Sequence, residues 1–402
     1  MAIGVTAYIV ALIASIMLHE AGHLLTAKRY GMKATQYFLG FGPTLWSFKR
    51  GETEYGVKAI PAGGFVKIVG MTDLEDIEPG DESRVFYKQS ARKRAVVLAA
   101  GSVTHFVLAF IILYAALLAY GDPQEPRRLS TTIDEVSECA TLGDPPTCEG
   151  QPPSPAKKAG IQPGDRILEF DGRPVNDWAT DFSGAIRGRK PGPAKIVVER
   201  DGRRLTIPVT LVAVPEPGSG TPPKTRTMIG LQPKELPPTD LGPVSALTGT
   251  TRLTGDLFRR TFQGIGALPA AIPKGIKQAF SGKERDPDGI VSPIGIGRVG
   301  GQAVAAGEFD TFLGIVAAFN IFIGVMNLLP LLPLDGGHLS ILGFEQLRSW
   351  WARRRGRRDP GRVDIRKMLP LAQFVVILFA SLFLIAFYAD ISNPLADPFS
   401  NG

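Results

Sequence analysis

The stretch His19-Glu20-Ala21-Gly22-His23 has the spacing H-E-x-x-H and closes an uncharged apolar run that begins at Ala2. On a helix, side chains four residues apart lie on one face, so His19 and His23 can bind one zinc ion. Glu20 lies beside them and can take a proton from a zinc-bound water. Because apolar residues surround the motif on every side, the pattern predicts a membrane-embedded helix, not the amphipathic helix of a water-soluble zincin.

The motif alone leaves a metal site and ordinary packing open, since H-E-x-x-H arises by chance and an intramembrane histidine can bond a neighbouring helix. Ionisable groups are costly in hydrocarbon, which favours a functional role. A hydrophobic content of 44% suits a protein that is partly in a membrane. The net charge of +7 could suggest nucleic acid. The basic residues cluster beside apolar segments, however, so a topological signal is favoured and no nucleic-acid partner is expected.

Four segments are apolar enough to span a bilayer, at about residues 2–27, 96–120, 312–334 and 368–389. Lysine and arginine are concentrated between the first and second spans and between the third and fourth, which predicts that both connections are cytoplasmic. Both termini and the second-to-third connection are then extracytoplasmic. The first span follows Met1 without a basic region and carries the motif, so we do not expect a cleavable signal peptide.

The only two cysteines, Cys139 and Cys148, fall in the extracytoplasmic connection. Two cysteines this close in a polar region predict a disulfide in an oxidising compartment, with two free thiols as the alternative. The cysteines and the charge bias therefore indicate the same topology independently.

The first cytoplasmic connection predicts a β-hairpin, because residues 35–47 and 55–70 are rich in β-branched and aromatic side chains around a polar turn at residues 49–52. Gly63 and Gly64 allow another backbone to approach closely. The apolar stretch 62–66 could dip toward the bilayer. A small soluble hairpin that caps the protein is the alternative.

The extracytoplasmic connection contains Ala159-Gly160-Ile161-Gln162-Pro163-Gly164-Asp165-Arg166-Ile167, a tight turn that leads into a strand. A short helix at 179–187 and a hairpin of 194–200 with 204–211 are expected to follow. The arrangement resembles a bacterial PDZ domain, a fold that takes extended peptides by strand addition. A size-selecting gate or spacer is the alternative role.

The remainder of this connection predicts a Pro/Gly-rich linker at 214–243 and then a helix. Leu253, Leu257, Phe258, Phe262 and Ile265 follow helical spacing, with arginines opposite. This stripe indicates an amphipathic helix on the outer leaflet or against the PDZ domain, with an ordinary packed helix as the alternative.

A catalytic zinc needs a third protein ligand, and the end of the third span offers candidates. The sequence there is Asn327-Leu328-Leu329-Pro330-Leu331-Leu332-Pro333-Leu334-Asp335-Gly336-Gly337-His338. Prolines and glycines break a helix at this point. His19 lies about 25 Å into the first span, level with the inner end of the third. The residues alone leave Asp335 and His338 both open as the third ligand.

The H-E-x-x-H in the first span, the PDZ-like region and the N-L-L-P-x-x-P-L-D-G-G-H stretch together resemble the site-2 protease family of intramembrane zinc metalloproteases. The likeness is closest to bacterial members with one PDZ domain. It implies one Zn²⁺ held by His19, His23 and Asp335, with Glu20 as the catalytic residue. It also implies substrate contacts in the hairpin, which we place at Gly63, Gly64 and Phe65, and at Asn327.

The chain departs from the family in the second span. Where the family has A-G-P followed by an asparagine, this sequence has Ser102 and His105. His105 could replace the asparagine as a polar contact or could bind nothing, and a zinc-ligand role is the least favoured reading. The role of Asn320 stays open.

The resemblance implies a peptidase of the bacterial plasma (inner) membrane that cuts the transmembrane segment of single-span membrane proteins. Anti-sigma factors already trimmed by a site-1 type protease are the usual targets. Two other readings stay open: a membrane-anchored metalloprotease acting on soluble or misfolded proteins, and a non-catalytic PDZ membrane scaffold.

The expected fold is a membrane α-helical protein with four transmembrane helices, a membrane-associated β-hairpin on the cytoplasmic side and an extracytoplasmic PDZ (α+β) domain. The expected segments are 1–34 (first span), 35–91 (hairpin region), 92–121 (second span), 122–235 (PDZ domain), 236–308 (linker and amphipathic helix), 309–340 (third span), 341–366 (basic cytoplasmic loop) and 367–402 (fourth span and outer tail).

Overall fold

Nine α-helices and nine strands occur in the part of the chain that the computed structural model describes, which is residues 2–71, 77–123, 128–140, 148, 151–215, 225–236, 241–279, 291–394 and 398–399. In chain order they are α1 (Ala2–Arg29), β1 (Ala34–Arg50), β2 (Thr53–Ile68), α2 (Ala91–Tyr120), β3 (Leu129–Val136), α3 (Pro155–Lys158), β4 (Arg166–Phe170), β5 (Arg173–Pro174), α4 (Gly184–Arg187), β6 (Gly192–Arg200), β7 (Arg203–Pro215), β8 (Thr225–Met228), β9 (Leu231–Glu235), α5 (Pro243–Ala279), α6 (Pro293–Ala305), α7 (Phe309–Asn327), α8 (Asp335–Arg354) and α9 (Leu369–Ser392).

These elements divide into two units. The first comprises Met1–Ala119 with Leu241–Ser400, and the second is Tyr120–Asp240. Residues 280–290 of the expected linker segment, and residues 395–397 and 400–402 of the expected outer tail, lie outside the described residues.

Four helices of the first unit, α1, α2, α7 and α9, are long and apolar enough to cross a membrane. They correspond to the four predicted spans, with one difference. The third was expected to continue to residue 334, but α7 ends at Asn327. Pro330 and Pro333 explain the earlier end, because a proline has no backbone N–H for the helix and clashes with the preceding turn. The chain then turns and begins α8 at Asp335.

Two buried clusters hold the first unit together. One joins α1, the base of the hairpin, α2 and α8, through residues that include Leu24, Met32, Ile68, Val97 and Leu342. The other joins α2 to α7, and Leu253, Leu257, Phe258 and Ile265 of α5 pack against it. Four of the five stripe residues therefore pack within the unit, as expected of an ordinary packed helix, whereas Phe262 is exposed.

The hairpin is more folded than the sequence suggests. Residues 36–39 of β1 lie opposite 64–67 of β2 on one side and opposite 54–57 on the other. The outer part of β1, residues 44–50, pairs with 53–58. The two long strands thus bend into four segments of one sheet, so that residues 64–67 form a segment at its margin.

The described strands of the second unit form an antiparallel sheet in the order β8-β7-β6-β4-β3-β9, with β5 beside β4. The predicted hairpin is present as β6 and β7, and Asp201 and Gly202 adopt positive φ at its turn. The predicted helix at 179–187 is instead a wide π-type helix, Trp178–Ser183, followed by α4. Cys139 and Cys148 are joined in a disulfide.

Two segments expected to be irregular contain regular structure. The prediction that residues 214–243 form a linker was wrong at residues 225–235, since β8 and β9 lie there and Thr227 and Ile229 are buried. Residues 216–224 and 237–240 of that stretch lie outside the described residues. The prolines and glycines in this stretch interrupt the alternation of apolar and polar residues by which a strand is predicted. The basic loop at 341–366 is also partly helical, because α8 continues to Arg354.

Candidate metal centre

Three side chains from two distant helices converge at one point. The Nε2 atoms of His19 and His23, on successive turns of α1, lie 3.1 Å apart. Each lies 3.3 Å from Oδ2 of Asp335, the first residue of α8. A tetrahedral zinc ion with ligand distances of about 2.0–2.1 Å holds its ligand atoms about 3.3 Å apart. The spacing of the three atoms therefore fits zinc, and among the described residues they form the one group with such geometry.

The chemistry of the three atoms also fits a cation. The Nδ1 of His23 lies 2.7 Å from the Val97 carbonyl, which can only accept, so Nδ1 carries the proton and Nε2 presents a lone pair to the centre. The Oδ2 of Asp335 is buried and has no hydrogen-bond partner among the described residues. The His23 Nε2 lone pair and the Asp335 carboxylate oxygen thus face each other at 3.3 Å away from water, an arrangement that a cation stabilises. Three protein ligands is the usual number for a catalytic zinc.

Gly101 of α2 forms a wall of the centre. A Cβ atom at this position would lie 2.4 Å from Cε1 of His19 and 2.5 Å from Nε2 of His23. Only a glycine lets the α2 backbone lie against both imidazoles. Sequence reasoning did not identify this glycine as part of the site.

The turn after α7 directs Asp335 toward the histidines. A Cβ on Gly336 would lie 2.2 Å from the Leu328 carbonyl carbon, and one on Gly337 would lie 2.7 Å from that of Leu331. The chain therefore folds back across the start of α8 with no room for side chains. Asp335 stands at the amino end of α8, where the helix dipole favours a carboxylate.

Glu20 faces the inner stretch of β2. A Cβ on Gly64 would lie 3.3 Å from Cγ of Glu20 and 3.2 Å from Sδ of Met17, so the strand backbone lies directly against α1. The hydroxyl of Tyr37 donates to the Met17 carbonyl at 2.7 Å and fixes β1 to the same turn.

Two of the other residues proposed to contact substrate, Gly63 and Phe65, adjoin Gly64 in β2. Gly63 adopts a φ of 125°, a conformation that L side chains avoid. Phe65 stacks on Phe38 and Phe41 of β1. Asn327 is the last residue of α7.

His105 and Asn320, whose roles the sequence left open, form a buried pair. Nδ1 of His105 lies 2.8 Å from Oδ1 of Asn320, whose amide donates to the Val316 carbonyl at 2.9 Å. The His105 ring centroid is 5.0 Å from that of His19. Because Asn320 accepts from Nδ1, His105 serves as a polar contact between α2 and α7 beside the centre. It is absent from the group of potential ligands among the described residues.

His338, the rival third ligand, lies one turn beyond Asp335 on α8 and is likewise absent from that group. The geometry therefore favours Asp335.

This preference can be tested by zinc titration. We expect His338→Ala to keep one zinc per chain with unchanged affinity, because no ligand is removed. Asp335→Ala should weaken zinc binding by more than the roughly 10–100-fold that loss of an outer contact to a ligand costs. The reverse ranking of the two variants would identify His338 as the ligand.

Comparison with known proteins identifies the family of the chain. Residues 7–358 match the model of peptidase family M50. Zinc metalloprotease Rip1 of Mycobacterium tuberculosis (strain ATCC 25618 / H37Rv) is 36% identical over 400 residues, which cover 98% of each chain. Rip1 of Mycolicibacterium smegmatis is 36% identical over 404 residues with the same coverage. Regulator of sigma-E protease RseP of Escherichia coli (strain K12) is 28% identical over 428 residues, 85% of this chain and 90% of that protein. The chain therefore belongs to peptidase family M50, the site-2 protease family, and is a zinc metalloprotease of the membrane.

Proposed function

We propose that the protein is an intramembrane endopeptidase that hydrolyses peptide bonds in the transmembrane segments of single-span proteins of a bacterial plasma membrane. One observation carries the proposal: the donor atoms of His19, His23 and Asp335 lie within 3.3 Å of one another. The histidines belong to α1, which is long and apolar enough to cross a membrane. A substrate for a centre in this position has to enter the apolar layer.

In this proposal His19, His23 and Asp335 hold one Zn²⁺, which supplies Lewis-acid chemistry when bound. Glu20 moves the proton. Its carboxylate accepts the proton from the attacking water and delivers it to the leaving amine nitrogen. The backbone of β2 at Gly64 lies against Glu20 and limits where its side chain can move.

The inner stretch of β2 is the proposed substrate platform. A helical substrate shields its peptide bonds, so the segment to be cut has to unwind. Residues 64–66 pair with β1 at one edge, and no described strand pairs with their other edge. An unwound substrate can add there as a strand beside Glu20. Gly63, Gly64 and Phe65 would contact it, and Asn327 would hold it from the end of α7.

For the topology, we propose that the hairpin and α8 are cytoplasmic and that both termini and the second unit are extracytoplasmic. The charge bias supports this arrangement. The disulfide between Cys139 and Cys148 also supports it, because such bonds persist in oxidising compartments.

We propose that the second unit is a PDZ domain that admits trimmed substrates, by filtering or by binding a new chain end. A groove of about 240 Å³ lies within it, lined by Phe182, Ile186, Arg226 and Ile229 among others. A site-1 type protease would make the first cut. The name of the E. coli relative, regulator of sigma-E protease, directs the substrate proposal toward anti-sigma factors.

The proposal is tested with the full chain reconstituted beside a single-span substrate. We expect cleavage within the transmembrane segment, loss of cleavage with a chelator, and recovery when Zn²⁺ is returned. Mass spectrometry of the fragments locates the cut. A protein that cuts only soluble unfolded chains, or only the flanks of the span, would be a membrane-anchored protease of the other kind. Chelator-insensitive function would point to a scaffold.

A further inference from the structure

Helix α8 has two chemically different faces. Leu342, Glu345 and Ser349 are buried against the protein. Phe344, Leu347 and Trp351 lie on the opposite face and are 56%, 56% and 49% exposed. Spacings of three and four residues place these three side chains in one stripe. A contiguous apolar stripe exposed on the surface of a protein indicates a surface that binds an apolar partner.

The carboxyl end of α8 is cationic and aromatic. The Arg354 guanidinium lies 4.2 Å from the ring centroid of Trp350, and that of Arg355 lies 4.8 Å from the ring centroid of Trp351. Neither arginine forms an ion pair with a carboxylate within the described part of the chain, whereas the neighbouring Arg353 has Asp359 at 3.9 Å. A guanidinium stacked on a ring keeps its N–H groups free for phosphate oxygens.

The location of α8 identifies the partner. The helix lies between α7 and α9 in the chain, and both are long and apolar enough to cross a membrane. A segment held between two spans lies next to the bilayer. An apolar stripe that ends in arginines without a carboxylate partner among the described residues is the pattern of a helix that lies in an anionic membrane interface. A nucleic acid would engage the arginines alone and leave the stripe in water.

We infer that this face of α8 binds anionic phospholipid, and that the attachment holds Asp335 in place at the metal centre. The second half of the inference rests on the proposed function. α8 runs without interruption for 20 residues. Its length of about 30 Å links the lipid-facing end rigidly to Asp335.

The buried face of α8 contacts α2 near the middle of the helix. Oε2 of Glu345 lies 3.4 Å from Nη1 of Arg94 on α2, and its Oε1 accepts from the N–H of Val363 at 2.9 Å. α2 also carries Gly101, which touches both imidazoles. Because α8 is anchored to α2 midway, a change in its tilt at the lipid end moves Asp335 relative to the histidines.

Binding is tested by tryptophan quenching in vesicles of phosphatidylcholine with or without phosphatidylglycerol, where either lipid is brominated. The α8 signal is the difference between the natural chain and Trp350→Phe/Trp351→Phe. We expect brominated phosphatidylglycerol to quench this signal more than brominated phosphatidylcholine. Arg354→Gln/Arg355→Gln should reduce the preference about fivefold for each arginine. Arg173→Gln/Arg203→Gln removes the same charge from the second unit and should have no effect. Equal quenching by both lipids overturns the inference.

The coupling is tested by cleavage of the reconstituted single-span substrate in the same vesicles. Phosphatidylglycerol should raise the rate for the natural chain and for Arg173→Gln/Arg203→Gln, but not for Arg354→Gln/Arg355→Gln. If quenching is selective but the cleavage rate does not depend on the lipid, α8 binds anionic phospholipid but this binding does not position Asp335. Absence of cleavage in every lipid counts against the proposed function, while the quenching still decides the binding.

Discussion

Substitution of Gly101 by alanine should empty the metal centre and abolish proteolysis. The new Cβ would lie 2.4 Å from Cε1 of His19 and 2.5 Å from Nε2 of His23, the nitrogen that faces the metal position. Real Cβ atoms do not approach so closely, so either the imidazoles rotate away or α2 moves. Both outcomes separate the ligands by more than the few tenths of an ångström that zinc tolerates. Zinc content of the purified protein should fall from one per chain to almost none.

The matched control is Gly314→Ala in α7, another helical glycine of an apolar helix. No atom lies within 4 Å of the Cβ that this change adds. Alanine is the better helix former, so stability should be unchanged or slightly raised, and zinc content should stay at one. If Gly101→Ala retained one zinc and the natural rate, the placement of α2 against the imidazoles would be wrong.

Replacement of Glu20 by glutamine should lower the rate of peptide hydrolysis by about 10²–10⁴-fold and leave zinc in place. Glutamine has nearly the shape of glutamate, but it cannot take a proton from water at neutral pH. The loss should appear in kcat with little change in KM, because substrate contacts are retained.

Single-turnover cleavage and zinc analysis of the same sample measure both parts of this result. Glu308→Gln, at the start of α7, makes the same chemical change away from the centre and should leave the rate unaltered. Full activity of Glu20→Gln would transfer the proton-moving role to another residue. Loss of zinc would show that Glu20 acts by shaping the centre instead.

The sequence predicts those features that depend on spacing within one segment. Local periodicity predicts the H-E-x-x-H pair, and hydropathy predicts the four apolar helices. The prolines predict the helix break before Asp335. The strand near Glu20 follows from β-branched and aromatic patterning. The site residues themselves came largely from the family resemblance, which chose Asp335 where the residues alone left His338 open.

The sequence does not reveal features that arise from packing between distant segments. Gly101 is required because a side chain at this position would overlap two imidazoles. The sequence next to Gly101 gives no sign of this contact. The pairing of His105 with Asn320 joins two spans far apart in the chain. The linker prediction failed at β8 and β9 because those strands gain their partners, β7 and β3, from elsewhere in the unit.

The metal centre draws its nitrogen donors from α1 and its carboxylate from α8, near opposite ends of the polypeptide. During synthesis the ribosome makes both histidines almost at once, yet the carboxylate emerges only after most of the chain has been translated. A nascent or truncated product therefore lacks a competent active site however well its early helices insert. The order of translation therefore delays assembly of the three donor atoms until α8 has been made.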